Sequence, residues 1–565
     1  MYMLILAVTV FIAAIFLIIE CKKPDVFSQV EKYSGHIIDV VGNRIFKGEI
    51  SVLDGKIISI VKKDKVDDCY IAPGLVDAHV HIESSMLTPS AFAREAVRHG
   101  TVAVVSDPHE IANVLGMNGV QFMIENGKKV SFKFYFGAPS CVPATAFETA
   151  GANLDSQDVA SLLAMNEIGY LSEMMNYPGV IYDDPAVLQK IAAAKQLGKP
   201  IDGHAPGLTG ADLQKYVAAG ITTDHECFML SEATEKLNLG MKIIIREGSA
   251  VKNFGALHTL IKSHPKDVML CTDDLHPDDL VKGHINLLVK RALDMGYDLL
   301  SVLRCCSYNP VKHYKLQVGL LQKGDPADFI IFDNPQQFDI QKVFINGELV
   351  SEEGASYIEP VRETPLNNFN AGKISLSDIE IPALTNRIRV IDIVPDEVIT
   401  KQVILTANVV NGKAESDVAG DVLKIVAINR YQSAKPAVAF IRNMGLKSGA
   451  IASSVAHDSH NIICVGANDA DMVAAVNALI ESKGGISASR NGVTTVMPLP
   501  YGGLMDNREA SEMAQDYIRL DAQAKEMGSS LRSPYMTLSF MGLLVIPELK
   551  LSDKGLFDGV KFGFT

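Results

Sequence analysis
Two histidines set two residues apart, His79 and His81, stand in the run Ile71-Ala-Pro-Gly-Leu-Val-Asp-Ala-His-Val-His-Ile-Glu-Ser-Ser85. Residues 71–80 are mostly apolar and β-branched and are entered through a Pro-Gly turn, which predicts one buried strand. Residues two apart on a strand face the same side, so both imidazoles can reach one metal ion. Asp77 and Glu83 share that parity. A lone His-x-His is a weak signal, because a strand-end histidine is commonly hydrogen-bonded structure. Polar residues recur, however, at the ends of later strand candidates: Ser106-Asp107-Pro-His109-Glu110, Leu171-Ser-Glu173, Asp202-Gly-His204, Asp224-His225-Glu226 and Cys271-Thr-Asp273-Asp274. A histidine or carboxylate at each of these successive ends is hard to explain by packing. Imidazole and carboxylate are the donors that suit zinc, manganese and iron dications. Two ions close together need a bridging anion, a role that fits Glu173, and they make hydroxide from water near neutral pH. An aspartate on the last strand, Asp273, can hold that water and shuttle its proton.

These side chains need a scaffold that brings strand ends together. Between residues 75 and 309, strand candidates at 101–106, 132–136, 169–172, 200–204, 222–225, 240–246 and 268–272 alternate with amphipathic stretches such as 89–99, 185–197 and 208–219. Those helices stop at Gly100, Gly198-Lys-Pro and Gly220. Repeated strand–helix units of this length predict a parallel (β/α)8 barrel, with its chemistry at the C-terminal strand ends. Hairpin signals at Gly42-Asn43 and Asp54-Gly55, and β pattern again over 319–351, predict a small composite β unit from both flanks of the barrel. The expected organisation is therefore α/β: a composite β-sheet unit from 31–72 and 318–358, a metal-dependent barrel over 73–317, and an α+β C-terminal domain over 379–565. The Asn- and Pro-rich stretch 359–378 reads as a linker.

The C-terminal part offers strands at 422–428 and 462–465 and a helix at 470–482 stopped by Gly484-Gly485. By spacing, His457-Asp-Ser-His460 reads as a polar turn between strands, with a second metal pair or a pocket lid as alternatives. Tyr501-Gly-Gly503 fits a turn or a close-approach loop equally. Met505 reads as core filler.

Composition narrows the class. A net charge of -14 argues against a nucleic-acid partner, which wants a basic face. Eight cysteines without a C-x-x-C pair fit free thiols in a reducing compartment. Residues 1–19 carry no charge and are long enough to cross a bilayer. No basic residue precedes them, so they make a poor signal peptide. Lys22 and Lys23 follow, which would leave the rest of the chain on the cytoplasmic side. The apolar segment 1–30 is thus either a membrane anchor or an upstream extension on a soluble cytoplasmic enzyme.

The run Pro73-Gly-Leu-Val-Asp-Ala-His-Val-His81 resembles the first-strand motif of the amidohydrolase superfamily. Within it, His79-Val-His-Ile-Glu-Ser-Ser85, Ser106-Asp-Pro-His-Glu-Ile-Ala112, Gly203-His-Ala-Pro-Gly207, Asp224-His-Glu226 and Cys271-Thr-Asp-Asp274 resemble the adenine deaminase family. So do Ala456-His-Asp-Ser-His-Asn461 and Pro498-Leu-Pro-Tyr-Gly-Gly-Leu-Met-Asp506 in the tail. The resemblance covers roughly residues 36–565. It implies hydrolytic deamination of adenine to hypoxanthine and ammonia by a metal-activated hydroxide, in purine salvage. It implies a binuclear divalent centre, with His79, His81 and Asp273 on one ion, His204 and His225 on the other, and Glu173 bridging. Manganese is the ion the resemblance favours, with iron and zinc equally suited by donor type. Asp273 would act as catalytic base, with Asp107 and Glu110 assisting proton transfer. Glu83, His109 and Asp274 would bind substrate. A homo-oligomer, a dimer, is implied as well. The competing enzyme reading is a cyclic-amide hydrolase of the hydantoinase or dihydroorotase kind, which calls for a carbamylated barrel lysine. Lys133 is the candidate. A binding protein on a dead barrel would have lost ligands, and the set here is intact.

Overall fold
The computed structural model describes residues 29–395 and 397–565. The charge-free run 1–19 lies outside them. Among the described residues, no helix is long and apolar enough to cross a membrane.

Eight strands run parallel: β1 Leu75–Val80, β2 Thr101–Ser106, β3 Lys133–Ala138, β4 Ile168–Met174, β5 Ile201–Gly203, β6 Thr223–Asp224, β7 Lys242–Arg246 and β8 Val268–Cys271. The first five pair in order as one arc, and the last three as another. Backbone bonds close both seams. Thr222 N–H donates to the Ile201 carbonyl (2.8 Å), and Asp273 N–H to the His79 carbonyl (3.0 Å). The ring is a (β/α)8-like barrel. Every residue of β2 and β8 is buried, as expected of parallel strands covered on both faces.

The run 71–80 is two strands and not the one expected. Tyr70–Pro73 belongs to a separate sheet, where Ile71 pairs with Ile37 and with Ile331. Pro73 has no N–H to extend the ladder, and the chain passes to β1 through Gly74. A Cβ at Gly74 would meet the Val102 methyls at 2.4 Å. That separate sheet is one continuous eight-stranded layer drawn from both flanks of the barrel. Its strands, in spatial order, are Ala355–Ser356, Glu348–Glu352, Ile340–Ile345, Phe329–Phe332, Tyr70–Pro73, Glu31–Asp39, Arg44–Leu53 and Lys56–Lys62. Ile37, Ile50, Ile71, Phe329 and Phe344 form an apolar core on it.

The C-terminal part holds another eight-stranded sheet, together with helices Asp469–Ser482 and Ala510–Glu526. It packs on the barrel end that carries the histidines. Asp506 N–H donates to the Met86 carbonyl (2.8 Å), and its own carbonyl accepts from Thr88 N–H (2.9 Å). Tyr517, on the second helix, meets His276 Nδ1 at 2.7 Å.

Candidate active site
His79 lies within β1, and His81 is the residue just past it. Their Nε2 atoms stand 3.2 Å apart. Asp273 Oδ1, two residues beyond β8, is 3.4 Å from the first and 3.3 Å from the second. Asp273 has φ +58, a left-handed conformation that aspartate tolerates better than most residues. The seam bond from its N–H to His79 fixes it there, as does the one its carbonyl accepts from His81 N–H (3.2 Å). Glu173 on β4 faces both sides: Oε1 is 3.4 Å from His81 Nε2, while Oε2 is 2.7 Å from His204 Nδ1 and 3.1 Å from His225 Nε2. Burial alone would push the Glu173 carboxyl up, but the imidazoles of His204 and His225 outweigh it and hold it well below the usual carboxylate range.

Behind these donors stands a supporting layer. His81 donates Nδ1–H to the Asp107 carbonyl (3.1 Å), which leaves its Nε2 lone pair turned inward. Asp77 is spent on structure. It accepts from Thr272 N–H and hydroxyl and sits 3.1 Å from His284 Nε2, so its shared parity with His79 does not bring it to the centre. Arg246, the last residue of β7, grips Glu226 with both terminal nitrogens (2.6 and 2.8 Å) and also bonds Asp273 Oδ2. For Asp273, burial is again outweighed, here by Arg246 and the two imidazoles, and its carboxyl is held well below its ordinary value.

Donor atoms of His81, Asp107, His109 and Glu173 lie within 4.8 Å of one another, as do those of His79, His225 and Asp273, and those of Glu173, His204 and His225. The two facing Nε2 atoms stand amid a surplus of carboxylate oxygens. A dication resolves that surplus, and the nitrogen–oxygen donor set suits zinc, manganese or iron. The residues present fit a divalent metal.

The centre opens into a cavity. The barrel forms one wall. The C-terminal part forms the other, with Val398, His457, Asp458, Phe540 and Ile546. Glu110, at the start of helix His109–Leu115, bonds His457 Nδ1 with one oxygen and His460 Nε2 with the other. Burial alone would lower His457, but Glu110 beside it lifts it to about 9. His109 lies between acids, its Nδ1 3.2 Å from Asp107 and its Nε2 3.5 Å from Glu110. Asp274 faces the cavity and accepts from the Ser84 hydroxyl. Glu83 does not line it. Its Oε1 accepts Ile111 N–H (3.1 Å), satisfying one of the free donors at that helix's N-terminus, and burial pushes the carboxyl up to about 7.

The sequence has known relatives. Residues 70–350 fit the family model for the amidohydrolase family, and residues 397–563 that for the adenine deaminase C-terminal domain. An adenine deaminase of Methanosarcina mazei is 53% identical over 550 residues, covering 95% of this chain and 99% of the relative. The chain belongs to the adenine deaminase family. Other members include the adenine deaminase of Salinibacter ruber, 52% identical over 534 residues (94% of this chain, 98% of the relative). That of Borreliella burgdorferi is 48% identical over 542 residues (94% and 99%).

In this member of the adenine deaminase family, the structure brings His79, His81, Glu173, His204, His225 and Asp273 together, and Asp107, His109, Glu110 and Asp274 around them. It places His457-Asp-Ser-His460 in a turn between strands Ala450–Ser453 and Ile462–Gly466, as the spacing predicts, and it buries all four residues, with His457 and His460 against Glu110 and Asp458 on the cavity. Sequence reasoning missed their contact with Glu110 because no spacing links positions 110 and 457. It also missed Arg246. That residue carried the same signal as the others, a polar side chain ending a barrel strand, on the strand whose pattern was weakest. Lys133 opens β3 at the opposite end of the barrel. Its ammonium donates to the Gln317 carbonyl (2.8 Å) and pairs with Asp328 (2.5 Å).

Proposed function
We propose that the chain hydrolyses adenine to hypoxanthine and ammonia, using two divalent cations held by His79, His81, Glu173, His204, His225 and Asp273. The observation that carries the reading is identity of about half, over nearly the whole length, to proteins named adenine deaminase. Bound there, the cations would acidify a water and neutralise charge building on the substrate. Glu173, which faces His81 on one side and His204 and His225 on the other, would hold both cations. Asp273, kept ionised by Arg246, takes the proton of the water that attacks C6. The attacked ring must gain a proton on nitrogen as C6 becomes tetrahedral. His109, between Asp107 and Glu110, is placed to supply it, and His457 and His460 hold Glu110 in position. The proton on Asp273 then goes to the 6-amino group, which leaves as ammonia, while the hydroxyl on C6 gives its proton back to His109 and becomes the carbonyl of hypoxanthine.

The finer parts of the proposal are manganese as the working ion, a homodimer and a place in purine salvage, which the family resemblance implies, and a cytoplasmic location, which the cysteine usage fits. The composite unit as a β-sandwich and the domain limits above belong with them. The cyclic-amide reading loses its residue, since Lys133 is ion-paired away from the centre. Incubating the purified protein with adenine, hydantoin and dihydroorotate in parallel separates the two. Hypoxanthine formed from adenine, with both cyclic amides untouched, supports the proposal. Ring opening of either amide without deamination of adenine contradicts it.

A further inference from the structure
Six carboxylates line the catalytic cavity: Glu110, Glu173, Glu226, Asp273, Asp274 and Asp458. Five are engaged. Glu110 is held by two imidazoles, Glu226 by Arg246, and Asp274 by Ser84, while Glu173 and Asp273 belong to the cation donors. Asp458 is different. It is 3% exposed, and its Oδ2 has no hydrogen-bond partner among the described residues. Its one ion-pair contact among the described residues is His109 Nε2, at 4.0 Å. It is not free to swing away, because its loop is fastened on both sides. His457 and His460 bond Glu110, and Ser459 gives its carbonyl to the Tyr431 hydroxyl (2.5 Å). A buried, unpaired acceptor held in place is costly and needs an explanation.

The cavity supplies one. His109 stands between the bridging acid and Asp458, its Nδ1 3.5 Å from Glu173 and its Nε2 4.0 Å from Asp458. A flat purine beside that imidazole, with C6 toward the cation donors, turns its five-membered ring toward the C-terminal wall. Phe540, which stacks on His457 with centroids 5.1 Å apart, and Ile546 give that wall its apolar surface. A free purine carries one ring N–H, on N7 or N9. A purine substituted at N9 carries none.

We infer that Asp458 accepts a hydrogen bond from the imidazole-ring N–H of the purine and so restricts the reaction to free bases. The inference rests on the adenine reading above. It gives the C-terminal part a share in specificity, and it makes Asp458 a substrate-binding residue. A site built to bond one polar hydrogen rejects analogues lacking it by about 10⁴-fold or more, because the buried group is then left unpaired.

The test compares wild type, Asp458→Asn and Asp458→Ala on adenine and on 9-methyladenine, with cation content and melting temperature measured for each. Loss of a charge-assisted bond is expected to raise KM for adenine by about tenfold to a hundredfold, with a smaller change in kcat. Activity on 9-methyladenine should hold or improve, so the adenine preference narrows at least tenfold. An equal loss on both substrates, as a merely structural role would give, overturns the inference. So does an unchanged preference. Should the variants lose cations or melt early, inhibition of the wild type by 9-methyladenine decides. An inhibition constant far above the KM for adenine is expected, and equal binding contradicts the inference. A wild type inactive on adenine sinks the underlying reading itself. An active wild type with an unmoved preference sinks Asp458 alone.

Discussion
Asp273 does two things with one carboxylate. Oδ1 faces His79 and His81, and Oδ2 faces Arg246. Replacing it with asparagine keeps the shape and removes the base. Asp273→Asn is expected to lower kcat by about 10²- to 10⁴-fold. Folding should survive, because Arg246 keeps its grip on Glu226. Steady-state kinetics and a melting curve on the same preparation check both halves. Arg246→Met acts differently, since it leaves two buried carboxylates without their cation. Breaking such a pair costs about 3–5 kcal/mol, so a large fall in unfolding free energy in denaturant is expected, and no loss of stability would refute the role given to Arg246. At this scale the sequence was informative wherever chemistry sat at a strand end. Asp77 shows the limit. Parity placed it with His79, yet Thr272 and His284 claim it, and neither partner is visible in local spacing.

The elements that matter most are the loops at the barrel's C-terminal end and the segments that press on them. Loop 457–460 fixes Glu110 through two imidazoles. Single changes, His457→Ala or His460→Ala, are expected to cut kcat for adenine and to leave cation content near that of the wild type. A variant that loses its cations instead would mean that these residues belong to the metal centre. The contact between His276 and Tyr517 makes a second, independent prediction. Burial pushes His276 down to about 3, so the folded chain keeps it neutral while the unfolded chain protonates it near 6.5. The stability it contributes is complete above pH 6.5 and is lost as pH falls from there toward 3. His276→Gln should flatten that part of the stability profile by up to about 1.4 kcal/mol per pH unit. An identical profile in the variant would contradict it. Barrel strands were legible because buried parallel strands are apolar runs between glycine stops. Thr101–Ser106 matches the expected limits, and the barrel strands after it differ by a residue or two. The break at Gly74 was not legible, since an apolar run looks the same whether it serves one sheet or two.

For the whole molecule, the C-terminal part closes the barrel mouth and is not an appendage. It supplies His457, Asp458 and His460, and it reaches the barrel through Asp506 and Tyr517. Nothing in the order of residues says that positions 350 apart will touch; only the assembled structure shows it. The crowded donors imply that the cations stabilise the fold as well as serve the reaction. At a hundredfold excess over the dissociation constant, each would add about 2.7 kcal/mol, so chelation should lower the melting temperature. The most direct test of the central claim is ammonia release from adenine by the purified protein, after chelation and again after adding back Mn(II), Fe(II) or Zn(II). The account predicts that release stops on chelation and returns with two ions bound per chain. Full turnover by the metal-free protein, or none with any ion from a protein shown to be folded, would contradict it.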